Sequence, residues 1–202
     1  GGELIKVYQH YLRSPNQHDL ELLLLHNYED LLGMIGILPI LSYQTILNKI
    51  YHITSYEING DSLDVLARLP VLLPRPFSYI GELYSIHAEK DQMKIMIPGT
   101  REPLKYFFAD YKNYYYLPEE DMALHKSVAA FVDKDHREPA RASTCYSKKK
   151  GFYLPQNDKL FTPVFKTDYY NRQLYFACNE AFLTDSENIT TYIHHLLSDL
   201  QS

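Results

Sequence analysis

The chain has 202 residues, of which 46% are hydrophobic and 22% charged, and its formal net charge is −5 at neutral pH. This composition is typical of a globular protein and excludes disorder as the main state. Nineteen tyrosines and no tryptophan favour a β-rich portion, because tyrosine suits half-buried strands. Cys145 and Cys178 are too few for a disulfide framework, so we expect two reduced, partly buried thiols in a cytoplasmic protein.

The first fifty residues predict a helical unit. Apolar residues recur at helical spacing over residues 3–12, and a Ser-Pro-Asn break at 14–16 precedes a longer helix that Pro39 should end or kink. We expect Asp19 to cap the start of this second helix. Charged and polar residues interrupt the apolar stretch at 20–43, which leaves no run of about eighteen apolar residues, so we expect no membrane span.

The remaining residues predict an antiparallel β unit with a terminal helix. Strand-like runs occupy residues 51–58, 77–88, 94–98, 104–108 and 114–117, with turn residues between several of them. We predict a helix over 119–132, further strand-like pieces at 137–146, 152–155, 160–170 and 174–178, and a helix over 180–200 that covers the β unit. The predicted fold class is therefore α+β.

One pair of residues in the second predicted helix has a spacing that is compatible with a metal site. His26 and Asp30 are four residues apart, which places them one turn apart on the same face, and Gly33 leaves room beside them. Such a pair can hold a metal next to a proton acceptor. The same spacing is also common on a solvent-facing helix surface, and both interpretations stay open from these residues alone.

A longer set of residues around that pair resembles a known family. The set comprises residues 1–5, Tyr8, Tyr11, Leu12, residues 22–27, residues 29–34 and residues 36–41. It resembles the end of a bacterial ribonuclease-H-like 3′-5′ exonuclease domain of the DEDD type, which uses four carboxylates and two metal ions. The resemblance implies that Asp30 is the last metal-binding carboxylate, for Mg²⁺ or Mn²⁺, and that His26, or less directly Tyr28, orients the attacking water. The interval of four residues matches the tyrosine subclass of the family, whereas the histidine subclass has five.

The resemblance also implies a division of the chain. Residues 1–50 would be the C-terminal helical part of the exonuclease domain, and residues 51–202 an α+β accessory domain that shares further motifs with the family. The family's Asp-x-Glu motif and its third carboxylate precede this helix, so we expect the chain alone to be inactive. Asp19-Leu20-Glu21 matches Asp-x-Glu literally, but its place at a helix start favours a capping role.

Charge in the C-terminal part indicates an anionic partner. Residues 126–172 carry ten Lys or Arg against five Asp or Glu, although the whole chain is acidic. Basic residues interleaved with tyrosines can contact phosphates and stack on bases, which predicts a surface for single-stranded nucleic acid. Its candidate residues are Lys126, Arg137, Arg141, Lys148, Lys149 and Lys150, and Lys166, Tyr169 and Tyr170 continue the same interleaved pattern.

Two alternatives remain for this part of the chain. The tyrosines can be strand and core residues, with residues 148–150 as a solubilising hairpin tip. The whole protein can also be a non-catalytic nucleic-acid-binding or protein-interaction module. The sequence does not choose between DNA and RNA or define an oligomeric state.

Overall fold

The computed structural model describes residues 2–201, except the side chains of Asp199 and Gln201. An N-terminal hairpin consists of α1 (Gly2–Arg13) and α2 (Gln17–Ile37). A 3₁₀ segment (Leu38–Tyr43) and the short α3 (Gln44–Leu47) follow. The α-helical conformation of α2 ends two residues before Pro39, as predicted, because proline has no N–H to donate.

The start of α2 is capped by Asn16 rather than by Asp19, so the predicted cap is wrong. The Asn16 side chain accepts a hydrogen bond from the backbone N–H of Asp19 at 2.9 Å. Asp19 lies in the first turn, where its carboxylate is 2.5 Å from His10 Nδ1 and accepts from Asn16 Nδ2 at 2.7 Å. The hydrogen bond with His10, followed by that with Asn16, lowers the pKa of Asp19. The carboxylate thereby links the two helices of the hairpin.

A five-stranded antiparallel sheet follows the hairpin. Its strands are β1 (His52–Asn59), β2 (Ser62–Arg68), β3 (Phe77–Ile80), β4 (Ser85–Glu89) and β5 (Gln92–Pro98), in the order β1-β2-β5-β4-β3. The sequence predicts no strand at β2, yet β2 lies between β1 and β5. Its Leu63, Val65 and Ala67 alternate into the core, while Asp64 lies on the opposite face beside Lys94.

The C-terminal helices cover one face of this sheet. They are α5 (Glu180–Leu183) and α6 (Ser186–Leu196), followed by a 3₁₀ segment (Leu197–Gln201). Fully buried side chains of α6, including Ile189, Tyr192 and Ile193, share one core with the inward residues of the sheet. Ile46 of α3 lies in the same core, so the end of the helical unit is anchored there. The predicted covering helix is confirmed, although it is divided into two.

Three small antiparallel sheets complete the α+β fold. β6 (Leu104–Phe107) pairs with β10 (Tyr146–Lys149), and β11 (Tyr153–Gln156) pairs with β12 (Leu174–Ala177). β7 (Tyr114–Leu117) lies between β8 (Met122–His125) and β9 (Glu138–Pro139), and α4 (Lys126–Ala129) follows β8. Helices and antiparallel sheets both contribute substantially, which confirms the predicted fold class.

Local predictions in this region are partly wrong. The helix predicted over residues 119–132 reduces to α4, because Asp121 adopts a left-handed conformation (φ 50°) and returns the chain onto β7 as β8. Residues 160–170 form no continuous strand among the described residues, only isolated bridges at Phe165 and Lys166. The predicted hairpin tip at 148–150 is also wrong, since β10 pairs with β6 instead of with the following strand.

Candidate functional site

His26 and Asp30 contact each other on α2, as their spacing predicts. The Nδ1 atom of His26 is 2.9 Å from Oδ2 of Asp30, and the two side chains are 41% and 66% exposed. One turn further on, the place where a Cβ of Gly33 would lie has no other atom within 4 Å. The carboxylate of Asp30 is therefore held on one side by the imidazole and is open to approach on the other.

These two residues belong to a narrow polar stripe along α2. Helical spacing places His26, Glu29, Asp30, Gly33 and Gly36 on one side of the helix, and all except His26 are exposed. Apolar residues occupy most of the remaining circumference, and they too are exposed. The exposed apolar residues of α2 and its 3₁₀ extension are Leu22, Leu24, Leu25, Tyr28, Leu31, Leu32, Met34, Ile35, Ile37, Leu38, Ile40 and Leu41.

α1 adds to this unpartnered surface. Ile5, Tyr8 and Leu12 are all more than half exposed. An apolar groove of about 350 Å³ lies between the two helices, lined by Leu4, Ile5, Tyr8, Leu23 and His26. Such a continuous apolar surface on two helices indicates a partner surface.

The helical segment Gln17–Leu47 is long enough and apolar enough to cross a membrane by length and composition. We expected no membrane span because polar residues interrupt the apolar run, but this segment meets both criteria in spite of the interruptions. Only 6% of its most apolar window is buried in the structure. Length and composition alone do not distinguish a lipid-facing helix from one that packs against protein.

The described residues do not supply a complete metal site. Within residues 2–201, no group of three or more His, Cys, Asp or Glu side chains is arranged to hold a metal ion. Mg²⁺ requires six oxygen ligands in near-octahedral geometry, of which proteins usually supply one or two carboxylates and leave the rest to water and substrate. A two-metal site needs several carboxylates, so Asp30 can be only one member of such a site.

Two of the predicted nucleic-acid-binding residues meet on one tyrosine of β7. The guanidinium carbon of Arg137 lies 4.8 Å from the centre of the Tyr115 ring, and the ammonium of Lys126 lies 5.7 Å from it. Arg137 also donates a hydrogen bond to the backbone carbonyl of Ala129, the last residue of α4. The two cations thus gather on the face of β7 that carries Tyr115.

Lys148 belongs to a different cluster, centred on Asp121. The Asp121 carboxylate accepts hydrogen bonds from the hydroxyls of Tyr116, at 2.6 Å, and Tyr146, and it forms an ion pair with Lys148. The bond to Lys148, followed by the two tyrosine bonds, holds the pKa of Asp121 well below its usual range. Burial and Asp121 together raise the pKa of Tyr146. Because Tyr115 and Tyr116 point to opposite faces of β7, this cluster and the Tyr115 cations do not form one surface.

The other predicted basic residues are more dispersed. Lys149 lies on the opposite face of β10 from Lys148, with its ammonium 5.9 Å from the centre of the Tyr106 ring. Arg141 starts the turn that Thr144 closes through its hydroxyl, and Lys150 is exposed after β10. The structure therefore does not bring the six predicted residues together.

Two basic residues outside the six candidates, Lys105 and Lys166, align with Lys148 across neighbouring β segments. Lys105 is the direct partner of Lys148 in the pairing of β6 with β10, and Lys166 forms a bridge with Lys105 from the other side. No sequence motif marks this arrangement, because the three lysines are 18 to 61 residues apart in the chain. Only the strand pairing reveals it.

Comparison with known proteins assigns no family. No protein-family model, no curated protein and no solved structure matches the chain.

Proposed function

We propose that this chain is the C-terminal part of a metal-dependent 3′-5′ exonuclease of the ribonuclease-H-like type, acting on nucleic acid. In this proposal Asp30 is one carboxylate ligand of an Mg²⁺ or Mn²⁺ site, and His26 orients the Asp30 carboxylate or the water beside it. The observation that carries the proposal is the open Asp30 carboxylate in the polar stripe of a helix whose apolar sides are exposed. The motif resemblance around this pair supports the same assignment.

The exposed apolar sides of α2 favour a protein partner over lipid. Glu29 and Asp30 lie near the middle of the apolar segment, and a carboxylate at the centre of a membrane span costs about 2.5–3.5 kcal/mol. The ten Leu, Ile and Met residues within α2, whose 21 residues are about the length of one membrane span, contribute about 0.3–0.6 kcal/mol each in favour of insertion. The cost of the two carboxylates and the gain from the apolar residues nearly cancel, and the polar His26 and Asn27 add to the cost, so insertion into a membrane gains little free energy. We infer that the rest of an exonuclease domain covers the apolar sides.

The geometry of the pair suits an incomplete metal site. The contact with His26 engages Oδ2 of Asp30, whereas no contact of Oδ1 with another group is seen in the described part of the chain. A cation can therefore approach through Oδ1, and the neighbouring Gly33 leaves that approach open. When bound, a pair of divalent ions activates water and stabilises the leaving oxygen of a phosphodiester. In this proposal the additional carboxylates are supplied by residues outside this sequence.

The proposal predicts different outcomes for this chain and for a gene product that includes the preceding residues. The chain alone, with Mg²⁺ or Mn²⁺ and labelled single-stranded DNA or RNA, should release no nucleotides. The longer product should release them from the 3′ end, and Asp30→Asn should reduce the rate by at least about a hundredfold, because ligand loss disrupts the metal site. Glu29→Gln is the matched control, since it removes the same charge about 100° around the helix, and it should retain activity.

Clear results would contradict this proposal. Metal-dependent cleavage by the chain alone that Asp30→Ala abolishes would show that the site is complete here. Equal rates for Asp30→Asn and Glu29→Gln in the longer product would remove Asp30 from the site. An upstream coding sequence without an Asp-x-Glu strand would remove the partners that the proposal requires.

A second candidate function is a non-catalytic nucleic-acid-binding module. The observation that favours it is the set of cation–ring contacts in the C-terminal part, such as Arg137 and Lys126 against Tyr115. This candidate predicts salt-dependent binding of single strands together with no cleavage by the longer product. Absence of both binding and cleavage would instead favour a protein-interaction module.

A further inference from the structure

Three lysines form a row across neighbouring β segments. Lys148 of β10 is directly opposite Lys105 of β6. Lys105 and Lys166 exchange two backbone hydrogen bonds, at 2.8 and 3.0 Å. Directly opposite residues in antiparallel pairs place their side chains on the same face. Lys148, Lys105 and Lys166, hereafter the lysine row, therefore lie side by side on one face.

The positive charge of the lysine row is only partly compensated. Lys148 pairs with Asp121, but no carboxylate oxygen within the described residues lies within 4 Å of the ammonium of Lys105 or Lys166. The Lys105 ammonium lies 4.3 Å from the centre of the Tyr146 ring, and the Lys166 ammonium donates to the carbonyl of Tyr169 at 2.8 Å. Like charges directly opposite in a sheet are destabilising. A row that keeps two such cations is suited to an anionic ligand.

Aromatic rings continue the surface next to Lys166. The Tyr170 side chain is 81% exposed, and its ring meets that of Tyr169 edge to face at 5.2 Å between centres. Tyr169 in turn packs edge to face on Phe107, which shares the face of the lysine row two residues beyond Lys105. An exposed ring held by neighbouring rings is a suitable platform for a base.

We propose that the lysine row binds the phosphodiester backbone of single-stranded nucleic acid and that Tyr170 stacks on a base of the same strand. Adjacent strands are about 4.8 Å apart, so the row extends over about 10 Å and can face successive phosphates of one strand. The choice of nucleic acid as the ligand rests on the proposed function, whereas the charged row is an independent observation. Lys148, Lys166 and Tyr170 belong to the basic and tyrosine pattern that the sequence indicates, and the structure adds Lys105 to them.

The test is direct binding by this chain, without any requirement for catalysis. Fluorescence anisotropy of a labelled twelve-residue oligothymidylate should give a dissociation constant that rises steeply with KCl concentration. Lys105→Gln combined with Lys166→Gln should weaken binding about tenfold at low salt and reduce the salt slope by about 1.4, because each lost phosphate contact removes about 0.7. Lys6→Gln combined with Lys90→Gln removes the same two charges from α1 and from the turn between β4 and β5; this variant is the matched control and should change neither quantity.

Two further variants separate charge from folding and test stacking. Lys105→Arg combined with Lys166→Arg keeps both positive charges and should retain binding, even if the glutamine variant is unstable. Tyr170→Ala should weaken binding about five- to hundredfold while leaving the salt slope unchanged, because stacking releases no counterions. Thermal unfolding of each variant establishes that the binding differences arise in folded protein.

Several outcomes would overturn the proposal. One is absent or salt-independent binding by the natural chain. Another is equal affinity of the Lys105→Gln/Lys166→Gln and Lys6→Gln/Lys90→Gln variants. A third is displacement of the oligonucleotide by inorganic polyphosphate as effectively as by unlabelled strand. Failure of the exonuclease proposal is distinguishable, because it concerns cleavage by the longer product. Intact cleavage without row-dependent binding would reject only the lysine row, and row-dependent binding without cleavage would reject only the exonuclease.

Discussion

The hydroxyl of Tyr192 is the clearest place to test how α6 is attached to the β layer. Tyr192 is fully buried, and its hydroxyl donates a hydrogen bond to the Pro155 carbonyl of β11 at 2.6 Å. Tyr175, opposite Pro155 on β12, uses its own backbone groups for two hydrogen bonds with Phe165. The Pro155 carbonyl consequently points away from β12, and the Tyr192 hydroxyl donates to it.

Tyr192→Phe keeps the ring in the core but leaves the Pro155 carbonyl without this donor. An unsatisfied buried acceptor costs about 1–3 kcal/mol, so the free energy of unfolding should fall by that amount. For a chain of this size, each kcal/mol corresponds to about 2–4 °C, which predicts a decrease in Tm of about 2–12 °C. Urea and thermal unfolding followed by far-UV circular dichroism measure both quantities.

Tyr170→Phe is the matched control because it removes the same hydroxyl from a ring that is 81% exposed. Its free energy of unfolding should change by no more than about 0.5 kcal/mol. Equal stability of the two variants would refute the reasoning. It would mean that the Pro155 carbonyl is satisfied in another way and that α6 is held by apolar packing alone.

Three further predictions concern stability and thiol reactivity. Gly99→Ala should lower the free energy of unfolding in urea clearly, because the new Cβ would lie 2.5 Å from the Phe152 ring. The new Cβ of Gly33→Ala meets no atom within 4 Å, so this variant should stabilise α2 by up to about 1 kcal/mol. A Gly99→Ala variant more stable than Gly33→Ala would refute the packing at Gly99. Asp121→Asn should lower Tm near neutral pH, and the difference in Tm between this variant and the natural chain should shrink as pH falls below about 4. The reason is that a carboxyl group whose pKa is lower in the folded than in the unfolded state stabilises the fold above its unfolded pKa and loses that contribution as it is protonated. A constant difference down to pH 2 would contradict this assignment. Burial raises the pKa of Cys178 to about 12, so this thiol should react with a disulfide reagent at pH 8 only after urea unfolding; rapid reaction in the folded chain would contradict its burial.

The spacing of apolar residues predicted the parts of the fold where one pattern continues over many residues. The spacing of apolar residues was sufficient for α1, α2 and the covering role of α6, and the break at 14–16 was correctly placed. The pattern failed where short segments depend on pairing. Of the helix predicted over 119–132, only α4 is helical and residues 122–125 form β8, because a strand partner in β7 overrides weak helical spacing.

In the candidate site too, the local contact could be predicted from the sequence, whereas the grouping of distant residues could not. The spacing of His26 and Asp30 fixed their contact, since a helix turn brings residues four apart together. Whether Asp30 binds a metal stays a prediction, as does every role assigned to the six basic residues. The basic residues were selected by their closeness in sequence, and the sheets separate them because neighbouring residues of a strand point to opposite faces.

The sequence by itself determined the two N-terminal helices, the α+β class and the one-turn contact of His26 with Asp30, because each depends on interactions between residues close in the chain. The tertiary structure alone decided which strands are neighbours, and with them the anchoring of Lys148 by Asp121 and its alignment with Lys105 and Lys166. The physical reason is that strand pairing joins residues far apart in sequence. The pairing that forms is the one that buries the apolar faces and satisfies the backbone hydrogen bonds together, and the local preference of a single segment does not determine it.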